Sequence, residues 1–418
     1  MPYFSGKIKA MKEEQKAKIA EYLYLVFFGI TIFIAIRNLT TIKAILPLPS
    51  NYQNILYISG VLIVTFKTIC DQTWKKWEII FALIWITTII CISLTYGEPT
   101  FVDLTLLMIG AHGTDYRKIV KIHLCISFAF IIILFILSNN GIIQNLISLR
   151  NGKDRISFGC GYPTNFAAHL FFMCCEYVWL RDKKISWIEL IIILRLGFFC
   201  YHYCDSRASF VCFLALTGFM AYIKTWEIIK KGITYEMSKC LRVFCCFSMP
   251  LFALLNIGLS YLYTDVSSAM VFLNKLISGR LSLGHTAFER YNITLFGQII
   301  KENNLRGKQE VIGEYYVIDP SYMRLLFKYG LVILLLIVIM TCICCIRESK
   351  AGIWPHLIIL TLLSVHCFIE NHLFQIAYHP FLLLIYAISP ECFTALDIKA
   401  HGSNFFKKLR FKNEKQNN

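Results

Sequence analysis

The 418-residue chain is 57% hydrophobic and only 16% charged, whereas an ordinary soluble domain is roughly 25% charged. A soluble domain could not bury this much apolar surface, and the apolar residues form long runs separated by short charged loops, as in membrane proteins. The net charge of +16 does not indicate nucleic-acid binding, because the basic residues are spread over the loops.

Twelve apolar segments are candidates for membrane-spanning helices, since a crossing needs about 20 apolar residues or slightly fewer. They are 20–36, 54–70, 78–96, 99–112, 119–138, 163–180, 187–203, 208–223, 241–263, 322–346, 354–370 and 373–390. The predicted fold is therefore all-α, a polytopic transmembrane helix bundle with about 12 spans. The fourth segment is short and contains Asp103, so the count becomes 11 if 99–112 is re-entrant.

The loop charges support the full count and predict the orientation. With the N-terminus in the cytoplasm, more than half of the 42 Lys and Arg residues lie in tails and loops on the cytoplasmic side, as the positive-inside rule requires. If 99–112 did not cross, Arg117, Lys118 and Lys121 would lie outside and every later loop would invert. We therefore predict a multi-pass protein of the cytoplasmic membrane with both termini inside.

The sequence contains no repeat and no soluble domain, so we predict one integral membrane domain over 1–418. Within it, 264–320 is predicted to be a partly helical extracytoplasmic loop, and 391–418 a basic cytoplasmic tail. Loops as long as this one are usually functional or disordered. Most of the 17 cysteines lie in apolar runs, where cysteine behaves as a small hydrophobe. The spacing favours neither a metal site nor a disulfide, and Cys160 with Cys204 is the only tempting pair.

Six arginines lie in the predicted outside loops, where basic residues are uncommon. For any single arginine, contact with a lipid headgroup or a surface ion pair is sufficient explanation. Several separate loops, however, place a guanidinium at the same membrane depth, and arginine is suited to gripping phosphate bidentately. The set therefore indicates an anionic ligand such as a lipid diphosphate. Its members are Arg150, Arg155, Arg207, Arg280, Arg290 and Arg324.

The segment 278–291 is predicted to be an amphipathic helix in the long loop. One of its faces carries Arg280, Gly284, Ala287 and Tyr291. His285 lies next to that face and is suited to act as a general base near neutral pH, although an interfacial hydrogen bonder is an equally good interpretation. Glu289 either orients the imidazole or pairs with Arg290 or solvent.

Two other groups of polar residues lie at the outer ends of predicted spans. Asn165 and His169 are four residues apart at the start of the sixth span, and Glu370 and His372 lie between the last two spans. Tyrosine and histidine at this depth are also common as ordinary interface residues. None of these residues has the spacing of a metal site.

At these positions the chain resembles a known family, the Wzy-type polysaccharide polymerases of Gram-positive capsule and exopolysaccharide loci. The similar segments are SGRLSLGHTAFERYNITLFGQ (278–298), Asp319-Pro320-Ser321-Tyr322 with MRLLFKYG (323–330), Arg155 to Gly159, Tyr162 to Asn165, and Ser206-Arg207. This similarity covers about a quarter of the chain, while the span count and the long late loop agree with the family over its whole length.

The resemblance implies a metal-independent and cofactor-free glycosyltransferase. Such an enzyme joins oligosaccharide repeat units, each carried on a polyprenyl diphosphate, on the outer face of the cytoplasmic membrane. Arginines would stabilise the charge on the departing diphosphate. The implied catalytic residues are Arg280, His285 and Glu289. The implied substrate-binding residues are Arg155, Asn165, Arg207, Arg290, Tyr291 and Arg324. The implied partners are the lipid-linked oligosaccharide, membrane lipid, a flippase and a chain-length regulator, with no nucleic acid.

Two alternatives remain at this point. An O-antigen-ligase-like glycosyltransferase would share the topology and the arginines but transfer the glycan to another acceptor. A flippase or other transporter of lipid-linked oligosaccharide would not be an enzyme. Transporters often have internal repeats and ionisable residues at the bilayer midplane, whereas here the notable polar residues lie at the outer interface.

Overall fold

The computed structural model describes residues 2–390 except 72, 98, 151 and 304–313. The predicted basic tail, 391–418, lies outside the described residues. The helices are α1 (Pro2–Asn38), α2 (Tyr52–Cys70), α3 (Lys76–Tyr96), α4 (Val102–Gly110), α5 (Tyr116–Asn139), α6 (Pro163–Arg181), α7 (Trp187–Cys204), α8 (Arg207–Ile229), α9 (Lys239–Cys246), α10 (Ser248–Tyr261), α11 (Ser268–Leu276), α12 (Arg280–Arg290), α13 (Ser321–Arg324), α14 (Leu331–Ala351) and α15 (Trp354–Cys367).

The prediction of a helical fold is confirmed over these residues, with one small exception. Between α5 and α6 the chain forms an antiparallel hairpin of β1 (Ile147–Arg150) and β2 (Lys153–Ile156). Ser148 lies opposite Arg155 in this hairpin, and Arg150 opposite Lys153. We call the end of the bundle that carries the hairpin the hairpin end. The N-terminus of α5 lies at the opposite end.

Seven helices of the described residues are long and apolar enough to cross a membrane, or eight if α9 and α10 form one span. Large apolar side chains are exposed along these helices; in α2, Ile58, Leu62 and Ile69 are 64%, 66% and 72% exposed. Exposed apolar surface on this scale indicates contact with lipid. The chain is therefore a helical membrane protein, and the predicted count of about 12 spans is not confirmed.

The predicted ninth span, 241–263, is broken into α9 and α10, which meet at an angle of 62°. Pro250 lies in the first turn of α10 and explains the break. A proline has no amide hydrogen to donate, and its ring clashes with the carbonyl group four residues earlier. That residue is Cys246, at which α9 ends. Pro250 therefore determines where this apolar run stops being one helix.

The predicted twelfth span, 373–390, is wrong as a helix. Its one regular element is a single 3-10 turn, Phe381–Ile385, and nearly all of its side chains are buried. Pro380 prevents a continuous helix for the reason given for Pro250. The segment connects the two ends of the bundle, because Ser321 donates a hydrogen bond to the Glu370 carbonyl at the hairpin end and Ile388 donates to the Thr114 carbonyl at the opposite end. Non-helical backbone at membrane depth is tolerated where protein surrounds it.

The weakly apolar segment 99–112 contains α4, whose nine residues are about 13 Å long. A helix this short cannot cross a hydrocarbon core of about 30 Å alone. It is packed inside the bundle, where the Tyr24 hydroxyl donates to the Leu107 carbonyl over 2.8 Å. Beyond it, Lys67 near the end of α2 donates to the His112 carbonyl, so this segment leads the chain to the start of α5.

Helix α12 lies closely against α10, because position 284 is glycine. A Cβ atom at Gly284 would lie 2.5 Å from the Ser260 Oγ and 2.8 Å from its Cβ, which is closer than atoms normally pack. The turn before α12 depends on left-handed backbone at Ser278 and Gly279, with φ of 62° and 83°. These two features determine where Arg280, the first residue of α12, is held.

Candidate functional site

A cavity of about 730 Å³ opens at the hairpin end of the bundle. It is lined by the end of α1, the hairpin, the start of α6, the α7–α8 turn, the α11–α12 turn, residues near 315–319 and the loop after α15. Segments far apart in the sequence therefore meet here. Its basic lining residues are Lys43, Arg150, Arg155, Arg207 and Arg280, and its carboxyl groups belong to Asp205, Asp319 and Glu370.

Three of the cavity arginines are held by the turn between α7 and α8. Arg155 is buried in β2, and its Nε donates to the Cys204 carbonyl over 3.0 Å. The Asp205 carboxylate lies between Arg150 and Arg207, at 3.4 Å and 3.9 Å. Asp205 has a φ of 46°, a strained backbone conformation for a residue with a side chain. This strained turn contacts three guanidinium groups of the cavity lining, which belong to β1, β2 and α8.

The fourth arginine, Arg280, projects from the start of α12. Its Nη2 lies 2.9 Å from the Asp319 carboxylate and 3.8 Å from that of Glu370, while its Nη1 donates to the Ser278 carbonyl over 3.2 Å. Burial lowers the pKa of Arg280, but the two carboxylates outweigh it and raise the pKa overall. The guanidinium is therefore firmly charged in a site that excludes most solvent.

The four guanidinium groups are close enough to repel one another. Burial and the charge of Arg155 lower the pKa of Arg150, and Arg207 and Arg280 add to the effect, while Asp205 opposes it. The fold holds these positive charges close together despite their repulsion, and a bound anion would reduce that repulsion. The cavity is thus arranged to receive a negatively charged group.

Glu370 contributes a buried carboxyl group to the cavity lining, and the residue is 8% exposed. Burial raises its pKa to about 7, although the charge of Arg280 opposes the increase. The sequence marked Glu370 only as an ionisable group between two spans. Its position beside Arg280 depends on the path of the chain after α15, and no pattern in the sequence predicts that path.

The structure brings four of the nine predicted site residues into the cavity: Arg155, Asn165, Arg207 and Arg280. The other five do not line it. The Nδ1 of His285 lies 3.2 Å from the Ser260 carbonyl and its Nε2 lies 3.7 Å from the Glu289 carboxylate, which is 63% exposed. The remaining three have other partners: Arg290 pairs with Glu314 at 2.5 Å, Tyr291 stacks on Tyr316, and Arg324 is bonded to Glu302.

Two histidine–carboxylate pairs lie deep in the bundle, and the sequence analysis missed both. His123 of α5 lies 2.8 Å from Glu176 of α6, and His356 of α15 lies 3.0 Å from Glu348 of α14. The side chains of all four residues are fully buried. The signal that could have found them is an ionisable residue inside an apolar run on each of two neighbouring spans, since such residues usually pair or serve function.

Cys160 and Cys204 are both buried free thiols, so the tempting disulfide is not formed. Among the described residues, no group of three or more His, Cys, Asp and Glu side chains is arranged to hold a metal ion. Comparisons of the chain with protein-family models, with curated proteins and with solved structures find no match. The function is therefore inferred from the geometry of the cavity.

Proposed function

We propose that this chain is a polysaccharide polymerase. It joins oligosaccharide repeat units, each carried on a polyprenyl diphosphate, on the outer face of the cytoplasmic membrane. The observation that carries the proposal is the cavity at one end of a membrane bundle, with four arginines supplied by the hairpin, the α7–α8 turn and α12. In a lipid with a diphosphate headgroup, the negative headgroup would bind the arginines of the cavity and the hydrocarbon chain would lie in the bilayer.

The arginines provide what a departing diphosphate requires. In the reaction, a hydroxyl group of the acceptor sugar attacks the anomeric carbon of the donor chain. The bond from that carbon to the diphosphate oxygen breaks, and the diphosphate leaves with the electron pair. Hydrogen bonds from a charged donor contribute about 1.5–3 kcal/mol each, and they act most strongly where charge develops in a site shielded from water. Arg207, 49% exposed with its nearest carboxylate at 3.9 Å, retains donors for this ligand.

The proposed orientation follows from the same charge pattern as the predicted topology. With about twelve passages and both termini in the cytoplasm, the hairpin end faces outward, and 264–320 is extracytoplasmic. Single cysteines introduced in place of Asn140, near the hairpin, and Glu236, near the opposite end, test this in intact cells. A membrane-impermeant maleimide is expected to label only the first. Labelling of the second position alone would reverse the orientation and contradict an outer-face reaction.

Deletion of the gene, followed by analysis of lipid-linked and surface glycan, tests the function. A polymerase predicts loss of long polymer and accumulation of a single lipid-linked repeat unit. Accumulation of finished polymer on its lipid would instead identify a ligase. Unchanged polymer length in the deletion strain, with no other polymerase gene expressed, would rule the proposal out.

A second function, proton-coupled transport of a lipid-linked oligosaccharide, is favoured by one observation. The buried pair His123 and Glu176 joins α5 and α6 inside the bundle, and buried ionisable pairs often mark proton pathways in transporters. Transport predicts that lipid-linked repeat units accumulate on the cytoplasmic face of the deletion strain. A polymerase predicts accumulation on the outer face, so protection of the glycan from an added glycosidase distinguishes the two.

A further inference from the structure

Glu370 places a buried carboxyl group in the cavity beside Arg280. Arg280 is closer to Asp319, at 2.9 Å, than to Glu370, at 3.8 Å. The longer separation exceeds a hydrogen bond, so Asp319 is the carboxylate that holds Arg280 in place. The Glu370 carboxyl group is hydrogen-bonded to the Thr164 side chain. A carboxylate has about four lone-pair sites, so Glu370 retains sites for a ligand hydroxyl group in the arginine cavity.

The backbone at Glu370 is fixed on both sides. Its amide donates to the His366 carbonyl over 3.0 Å, and its own carbonyl accepts a hydrogen bond from the Ser321 hydroxyl over 2.7 Å. The fixed backbone and the hydrogen bond to the Thr164 side chain restrict where the Glu370 carboxyl group can lie, and a catalytic group benefits from such preorganisation. The groups that face it from the surrounding elements are Arg155 of β2, Thr164 of α6, Arg280 of α12 and Asp319 before α13.

We propose that Glu370 is the general base that removes the proton from the attacking hydroxyl group. This inference deepens the proposed function and depends on it. As the acceptor oxygen forms its bond to the anomeric carbon, its proton passes to the Glu370 carboxylate, and the diphosphate leaves with the electrons of the broken bond. One bond to the anomeric carbon forms and one breaks, and the proton later leaves Glu370 for solvent.

The arrangement couples the two halves of the reaction. Arg280 neighbours Glu370 and belongs to the set that would bind the diphosphate. As negative charge develops on the leaving group, the arginine charge is increasingly neutralised, and the proton affinity of Glu370 rises. A base with a pKa of about 7 is also near the optimum for proton transfer at neutral pH. The half-buried His285 and the exposed Glu289 do not line the cavity.

Turnover and lipid binding of purified variants in nanodiscs test this proposal. The substrate is the lipid-linked repeat unit extracted from cells that lack the protein, and binding is measured as thermal stabilisation by undecaprenyl diphosphate. Glu370→Gln keeps the shape but cannot accept a proton. We expect turnover to fall at least 100-fold while binding stays within threefold. Glu370→Asp, which keeps a carboxylate, should recover part of the rate, and Glu236→Gln, outside the cavity, should match wild type.

The pH profile separates catalysis from a structural effect. Because the ionised form of Glu370 is the base, wild-type turnover should rise through about pH 7 and then level, and this inflection should be absent from the residual rate of Glu370→Gln. Normal turnover of Glu370→Gln, or equal losses of binding and turnover, would overturn the assignment of Glu370 as the general base. Neither result would contradict the proposal that the chain is a polymerase. Absence of polymer with wild-type protein would overturn the proposed function and this inference together.

Discussion

Glu370→Gln is expected to stabilise the folded protein at alkaline pH, although the proposed mechanism predicts a loss of turnover. Burial raises the pKa of Glu370 from 4.5 to about 7 despite the neighbouring arginine, so the ionised carboxylate is a net cost to the fold. A tenfold change in proton affinity corresponds to about 1.4 kcal/mol. The difference between the two pKa values therefore corresponds to about 3 kcal/mol when the group is fully ionised.

The sign and pH range follow from proton binding. Between pH 4.5 and about 7 the folded state holds the Glu370 proton more tightly than the unfolded state does, so stability falls as pH rises through this interval. Below pH 4.5 the group is protonated in both states and imposes no such cost. Glu370→Gln has no ionisable group at this position, so its stability lacks this pH dependence. Its advantage over wild type should therefore be small at pH 5 and reach its full size above about pH 8.

Thermal unfolding of both proteins in the same detergent, from pH 5 to pH 9, measures this advantage. Glu302→Gln is the matched control, because Glu302 is also a buried carboxylate but Arg324 and Lys328 overcome its burial and lower its pKa. That substitution should destabilise the protein above about pH 4.5, the opposite sign. A melting-temperature difference for Glu370→Gln that does not change with pH would refute the reasoning.

Three further substitutions test other parts of the molecule. Arg280→Lys should lower affinity for undecaprenyl diphosphate at least tenfold, because lysine lacks the planar, bidentate donor group of arginine. The control Arg290→Lys should leave the affinity unchanged. Equal losses of affinity in the two variants would mean that Arg280 acts only through net charge. Gly284→Val should destabilise the protein by about 1–3 kcal/mol, because its side chain overlaps α10, and an unchanged melting temperature would contradict that packing. His123→Leu should cost about 3–5 kcal/mol, because Glu176 is left buried and unpaired. Adding Glu176→Leu should recover much of that stability, and no recovery would show that the pair is not the source of the loss.

The sequence by itself determined the class of the protein. Long apolar runs can satisfy their backbone hydrogen bonds in lipid only as helices or closed barrels, and their lengths favoured helices. Four of the nine residues that the sequence singled out, Arg155, Asn165, Arg207 and Arg280, line one cavity. Charged residues next to apolar runs are restricted to the membrane interface, which brings distant loops to a common depth.

Only the tertiary structure decided which side chains contact one another at the membrane interface. Membrane depth places Arg280 and His285 at the same level, but the direction in which α12 packs on α10 sends Arg280 into the cavity and His285 toward the Ser260 carbonyl. The sequence also predicted a helix at 373–390, because hydropathy cannot distinguish a span in lipid from an irregular segment surrounded by protein. The path of the chain past α15 brings Glu370 beside Arg280, and burial there raises the pKa of the Glu370 carboxyl group to about 7.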